Sequence, residues 1–218
     1  MLINASFTSK SVFTPTLNMA FGAFNMRQGM SEELAAVVLK EEPNILNKTT
    51  SPDINDSQWL TSRLWQYNFL DLDYDVVREL RSFIKNSYIS YMNDLDIPTQ
   101  KVYIQCWANV IRNDGRRIVP HHHADGHSND PNASQEYAYL SGNICVQTKD
   151  TNTYFQSPFL NKQVISVPNI NGEMVFFPSF ITHWTDTNIN QSERITISFD
   201  LITEEFFNMV DGTNYREL

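Results

Sequence analysis

Apolar and polar positions follow two different periods along this chain, one before and one after about residue 98. From Asp73 onward, Val76, Val77, Leu80, Phe83, Ile84, Tyr88, Tyr91, Met92 and Leu95 recur every three or four positions, which predicts an amphipathic helix. A stripe of that kind needs a surface to cover, so the helix is expected to pack on the back of a sheet, with Asp73 as its cap. A shorter helix is predicted after Ser31-Glu32-Glu33, where two acids complement the helix dipole ahead of Leu34, Val37, Val38 and Leu39, and Pro43 marks its end. Asn44 to Asp56 is rich in residues that compete for backbone hydrogen bonds and reads as a surface loop. Residues 1–30 read as an extended strand followed by loop.

After Pro98 the pattern changes to short β-type runs: Lys101 to Arg112, Tyr137 to Gln147, Gln163 to Pro168, Glu173 to Phe177 and Arg194 to Ile202. That succession predicts an antiparallel sandwich or barrel. In the first run Tyr103, Gln105, Trp107 and Asn109 alternate with small apolar residues, and this polar, aromatic face is expected to line a pocket. Trp59, Trp65 and Tyr67 suit packing beneath the long helix, a homodimer interface being the other use for them. With 218 residues, a single domain over 1–218 is expected. Its parts are a strand plus helical buttress (1–97), a β core (98–205) and a C-terminal tail (206–218).

Composition narrows the function. Apolar residues make up 41% and charged residues 19%, as in a folded globular protein, and no apolar run reaches the 18 residues of a membrane span. The N-terminus lacks a basic region followed by a continuous apolar segment, and Cys106 and Cys145 each lie within strand-like runs. Both features suit a cytoplasmic protein with buried thiols. Net charge is −9 and no basic run exceeds Arg116-Arg117, so a nucleic-acid partner is not expected. Gly-rich phosphate loops are absent.

Chemistry concentrates in Pro120-His121-His122-His123-Ala124-Asp125-Gly126-His127, which holds four of the five histidines. In an extended strand His121, His123 and Asp125 would share one face and His122 the other, and imidazole is the commonest transition-metal ligand. The fifth, His183, lies in the apolar stretch Phe176 to Trp184, and Arg194 follows eleven residues later. Arg194, Thr196 and Ser198 share one face of a strand, a suitable receptor for a carboxylate, with a surface salt bridge to Glu193 or Asp200 as the structural alternative. Three protein ligands on one side of an octahedral metal plus a cation for a distant carboxylate are what a non-haem iron(II) oxygenase requires.

With Trp107-Ala108-Asn109, Pro120-His121-His122-His123, Leu140-Ser141-Gly142, Phe177-Pro178-Ser179, His183 and Arg194-Ile195-Thr196-Ile197-Ser198 in this order, the chain resembles the 2-oxoglutarate- and iron(II)-dependent dioxygenases. It is most similar to a group of such oxygenases from bacteria and their phages. The resemblance is clear from about residue 100 to 202, and Val12-Phe13-Thr14-Pro15 resembles the family's opening strand. It implies a mainly β fold with N-terminal helices, a double-stranded β-helix or jelly roll with helices packed on the outside. It also implies Fe(II) and 2-oxoglutarate as cofactor and co-substrate, dioxygen, and hydroxylation of a small-molecule or peptide substrate with release of succinate and CO2. His183 matches the distal metal ligand and Arg194 the co-substrate's anchor, with Ser198 beside it. For the first ligand pair there are two registers, and the spacing from Gly115 to His121, together with Pro120, favours the first. His121 with His123 gives a three-histidine site, whereas His123 with Asp125 gives two histidines and a carboxylate. The family's co-substrate tyrosine is missing at Asn143-Ile144-Cys145-Val146, and Tyr103 is the substitute expected. Residues 124–139 would form a lid. A non-catalytic, cupin-like module that binds a metal or ligand on the same scaffold is the other reading.

Overall fold

The computed structural model describes residues 2–7, 17–50, 60–113, 116–123, 139–158, 163–190, 192–209 and 214–218. Ten strands occur among them: β1 (Leu2–Phe7), β2 (Leu17–Asn25), β3 (Val102–Ile111), β4 (Leu140–Gln147), β5 (Asn152–Gln156), β6 (Val164–Pro168), β7 (Glu173–Pro178), β8 (His183–Thr185), β9 (Arg194–Thr203) and β10 (Arg216–Glu217). The helices are α1 (Met30–Lys48), α2 (Asp75–Asp94) and the short α3 (Glu204–Phe207). A seven-stranded antiparallel sheet runs β1-β2-β7-β4-β9-β3-β10 and faces a three-stranded sheet, β6-β5-β8. This is a jelly roll with helices on the outside. No helix among the described residues is long and apolar enough to cross a membrane.

Strand alternation explains the layering. Ile104, Cys106 and Ala108 of β3 are fully buried with Ile144 and Ile197 against Leu34 and Val38 of α1 and Leu80 and Ile84 of α2. The opposite faces meet the small sheet through Phe21, Phe155, Val175 and Phe177. β3 and β9 pair from Val102↔Thr203 to Ile111↔Arg194, a continuous ladder that carries the odd-numbered β3 side chains and even-numbered β9 side chains into the space between the sheets. Cys106 and Cys145 are free, buried thiols.

Local differences from the sequence reading have physical causes. α1 does not stop at Pro43 but continues to Lys48. The turn that contains the proline is held by Arg112, whose two Nη groups donate to the Glu42 carboxylate at 2.9 and 2.6 Å, and by the buried Ile45. Residues 44–48 are therefore helical rather than loop, and those from 51 to 59 lie outside the described set. α1 starts after Gly29, which takes φ +83°. Tyr74, not Asp73, is the N-cap residue of α2, and Asp73 instead pairs with Arg78. Residues 2–25 contribute two paired strands, β1 and β2, while Val12 to Pro15 fall outside the described residues. Trp65 is exposed, whereas the Tyr67 hydroxyl accepts from the Ala108 N–H at 3.0 Å. Trp59 is not described.

Gly142 stands opposite Phe199 in the β4–β9 ladder, and a Cβ there would lie 2.1 Å from the Phe199 ring. Gly142→Ala must displace a fully buried aromatic ring, so it is expected to destabilise the fold by about 1–3 kcal/mol. Thermal unfolding checks this, and an unchanged midpoint would show that the ring relaxes freely.

Candidate active site

The three candidate ligand histidines converge because two backbone bridges bring them together. His121 N–H donates to His183 O at 3.1 Å and His183 N–H returns a bond to His121 O at 2.8 Å, which sets their rings side by side with centroids 4.3 Å apart. Beyond His121 the chain bends instead of continuing as a strand. His123 N–H then donates to Ser179 O at 2.9 Å, turning its ring toward the same point. Among the described residues, His121, His123 and His183 each offer a ligand nitrogen, all within 4.8 Å of one another. His122, expected to face away, borders the same cavity because the segment is a bridge and a bend and lacks strand alternation.

Hydrogen bonds fix the tautomers. Nδ1 of His121 lies 2.8 Å from Val119 O, Nδ1 of His183 lies 3.0 Å from Ile181 O, and Nδ1 of His123 lies 2.6 Å from Asp200 Oδ1. Carbonyl and carboxylate oxygens only accept, so each Nδ1 carries the proton and each Nε2 presents a lone pair. The His121 and His123 Nε2 atoms are 3.0 Å apart. A contact that short holds either a shared proton or a bound cation, and with all three rings neutral the donor set fits a transition metal.

Burial reinforces the neutral forms. It pushes His121 down to about 4, helped by the nearby His123. Burial, followed by His121 and His123, drives His183 well below its usual value. The unfolded chain then binds more protons than the folded one below the ordinary histidine value of about 6.5. Metal-free protein is expected to lose stability as pH falls from about 6.5 toward 4, by about 2–3 kcal/mol from His121 alone. Chemical denaturation at stepped pH checks this; a flat profile would mean that these imidazoles protonate without cost.

Behind the histidines is a cavity of about 130 Å3. Arg194 lines it and is 3% exposed, with Nε and Nη1 buried and unpartnered. Burial lowers its pKa from the usual arginine value. A desolvated guanidinium of this kind calls for an anion, and its planar fork fits a carboxylate. Among the described residues Arg194 forms no salt bridge with Glu193 or Asp200, the two partners considered for it, and Asp200 is engaged by His123.

Other expected residues are placed differently. Ser198 lines the cavity, but its hydroxyl donates to Asn143 Oδ1 at 3.2 Å and accepts from Asn109 Nδ2 at 3.0 Å, so it orients Asn143. Tyr103 shares the Trp107 face but sits at the far end of β3. There it stacks on Phe207 at 3.7 Å, its hydroxyl 3.4 Å from Glu204, and it does not reach the cavity as a co-substrate ligand. Asp125, His127 and the lid expected over 124–139, apart from Tyr139, lie outside the described residues. The sequence reading missed Asp200, Ser141 and Ser179 as neighbours of His123. Asp200 continues the row 194, 196, 198, and that periodicity was the available signal.

Residues 105–200 match a family described as "Putative 2OG-Fe(II) oxygenase". No curated protein matches the chain. Among solved structures, the chain is similar to a prolyl-4-hydroxylase from Pseudomonas putida, at 11% identity and TM-score 0.57 over 84% of this chain and 92% of that one. It is also similar to a prolyl hydroxylase from Trichoplax adhaerens in complex with a hypoxia inducible factor peptide fragment, at 13% identity and TM-score 0.58 over 88% and 87%. A third similar structure is the viral collagen prolyl hydroxylase of Paramecium Bursaria Chlorella virus-1 bound to 2-oxoglutarate, at 10% identity and TM-score 0.55 over 84% and 95%. At these identities the solved structures establish the jelly roll, while the family match covers the segments that carry His121, His123, His183 and Arg194. Residues 105–200, a little under half of the chain, are thus similar to a family described by its dependence on Fe(II) and 2-oxoglutarate.

Proposed function

We propose that the chain is a three-histidine, iron(II)- and 2-oxoglutarate-dependent dioxygenase that hydroxylates a small molecule or a peptide side chain. The observation that carries this reading is the convergence of three Nε2 lone pairs on a cavity that also holds the buried, unpartnered Arg194. The overall reaction is R–H + O2 + 2-oxoglutarate → R–OH + succinate + CO2. Bound iron(II) supplies the redox chemistry, and the chain's residues hold and shield it. His121, His123 and His183 are the ligands. Arg194 receives the co-substrate's distal carboxylate, and Asn143 borders the same space. Phe177, 4.7 Å from the His183 ring in an edge-on contact, and Trp107, 5.8 Å from His123, exclude water from the metal's surroundings. The net charge of −9 disfavours nucleic acid as substrate, and the two buried thiols suit the cytoplasm.

Anaerobic titration of iron(II) and then 2-oxoglutarate into metal-free protein tests the reading. A weak visible charge-transfer band, produced only when both are present, is the expected result. Bound iron without the band would leave a metal-binding jelly roll with no co-substrate.

A further inference from the structure

Two of the three histidines give their Nδ1–H to neutral backbone carbonyls, and the third gives it to a carboxylate. Asp200 is 5% exposed, and its Oδ1 lies 2.6 Å from His123 Nδ1 and 2.6 Å from Ser141 Oγ. Ser141 Oγ is in turn 2.9 Å from Ser179 Oγ, and Ser179 O accepts the His123 N–H. The serines of Leu140-Ser141-Gly142 and Phe177-Pro178-Ser179, which have no part in holding metal or co-substrate, thus converge on this one His–Asp pair. Residue 200 belongs to β9 at the register of Ser141 on β4 and Gln105 on β3, so its position is fixed by the main sheet and not by a loop.

We propose that Asp200 is the positioning residue of the metal centre. It supplies, through His123, the negative charge that the three-histidine ligand set lacks. A carboxylate behind an imidazole fixes its orientation and makes Nε2 a stronger donor. Because it sits outside the ligand sphere, it leaves all three ligand positions to histidine while offsetting part of the metal's charge at close range. The Ser141 hydroxyl holds the carboxylate in line, and the Ser179 carbonyl holds the backbone of the residue it acts on.

This inference rests on the three-histidine reading, and the experiment separates the two. Cobalt(II) is titrated into metal-free wild type, Asp200→Asn and Ser141→Ala, with folding verified by near-UV circular dichroism. Asparagine keeps the shape and an accepting oxygen but removes the charge. Wild type is expected to bind cobalt, Asp200→Asn to bind about 10- to 100-fold more weakly, and Ser141→Ala to stay within about threefold of wild type. In the iron(II)–2-oxoglutarate complex the Asp200→Asn charge-transfer band should move to shorter wavelength, as expected for a less electron-rich metal. A wild type that binds no cobalt overturns the three-histidine reading and this inference with it. Wild-type cobalt binding combined with equal affinities and an unshifted band in Asp200→Asn overturns the inference alone, as does a loss in Ser141→Ala equal to that in Asp200→Asn. Should Asp200→Asn not fold, zinc-loaded wild type decides by proton magnetic resonance. The His123 Nδ1–H is expected furthest downfield of the three ligand signals, and three signals at similar positions overturn the assignment.

Discussion

Arg194→Met is expected to weaken 2-oxoglutarate binding by about 100- to 4,000-fold, because removing one partner of a buried, hydrogen-bonded charge pair costs about 3–5 kcal/mol. Metal affinity should not move, since the Nε and Nη1 of the guanidinium are hydrogen-bonded to none of the three converging histidines. The same substitution is expected to raise the stability of the ligand-free protein. Arg194 has two unpartnered buried nitrogens there, and an apolar side chain of similar length removes that desolvation cost. Arg194→Lys keeps a charge without the planar fork and should fall between the two in affinity. Anaerobic calorimetry of 2-oxoglutarate with manganese- or cobalt-loaded protein, paired with thermal unfolding of the free forms, measures both signs. Unchanged co-substrate affinity in Arg194→Met would remove the carboxylate receptor from the proposed function and leave a metal site alone.

His183→Ala carries the other large effect. Loss of one of three ligands should weaken cobalt or iron(II) binding by at least about 100-fold, beyond what the removal of an outer hydrogen-bond partner causes. His183 is 8% exposed and packed on Phe177, so some loss of stability accompanies the change, and metal affinity must be measured on folded protein. His122→Ala is the matched control. It borders the cavity but has no place among the three converging nitrogens, and its metal affinity should stay within about threefold of wild type. Equal losses in both variants would mean that the histidine run binds metal without a defined site.

How much of this was legible depended on whether a feature was written in local spacing. The period of α2 was readable because its partner surface is a whole sheet, and the five long β-type runs correspond to β3, β4, β6, β7 and β9. The extent of α1 was not readable. Pro43 is a local stop signal, and what overrides it is Arg112, far along the chain. The short strands β8 and β10 carry too few residues to set a period, and β5, though as long as β6, is mostly polar, with Asn152, Thr153 and Gln156 among its five residues. In the site, Arg194 lines the cavity with Thr196 and Ser198, as strand alternation along β9 puts them, whereas His183 was singled out by its apolar surroundings and the family resemblance and not by alternation. His122 and Tyr103 did not fall where alternation put them, one because the chain bends after its single bridge, the other because sharing a face of β3 does not mean sharing an end. Asp200 followed the same alternation as Arg194, and only the register between β9 and β4 shows that it meets Ser141 and His123.

The paired backbone bonds between His121 and His183 also bear on which ion the site accepts. They set the backbone spacing of two of the proposed ligand histidines by that of neighbouring strands, and the Nδ1 bonds to the Val119 and Ile181 carbonyls then hold the rings, so the frame has little freedom to adjust to one metal's radius. An all-imidazole ligand set suits iron, copper, nickel and zinc alike, and affinity rises from iron toward copper along the divalent series. Such a frame discriminates poorly, and iron occupancy must be decided by supply. Protein prepared on a nickel column or exposed to zinc should therefore carry a tight, redox-silent occupant, and stripping with a chelator before iron is added becomes the step on which any activity assay depends.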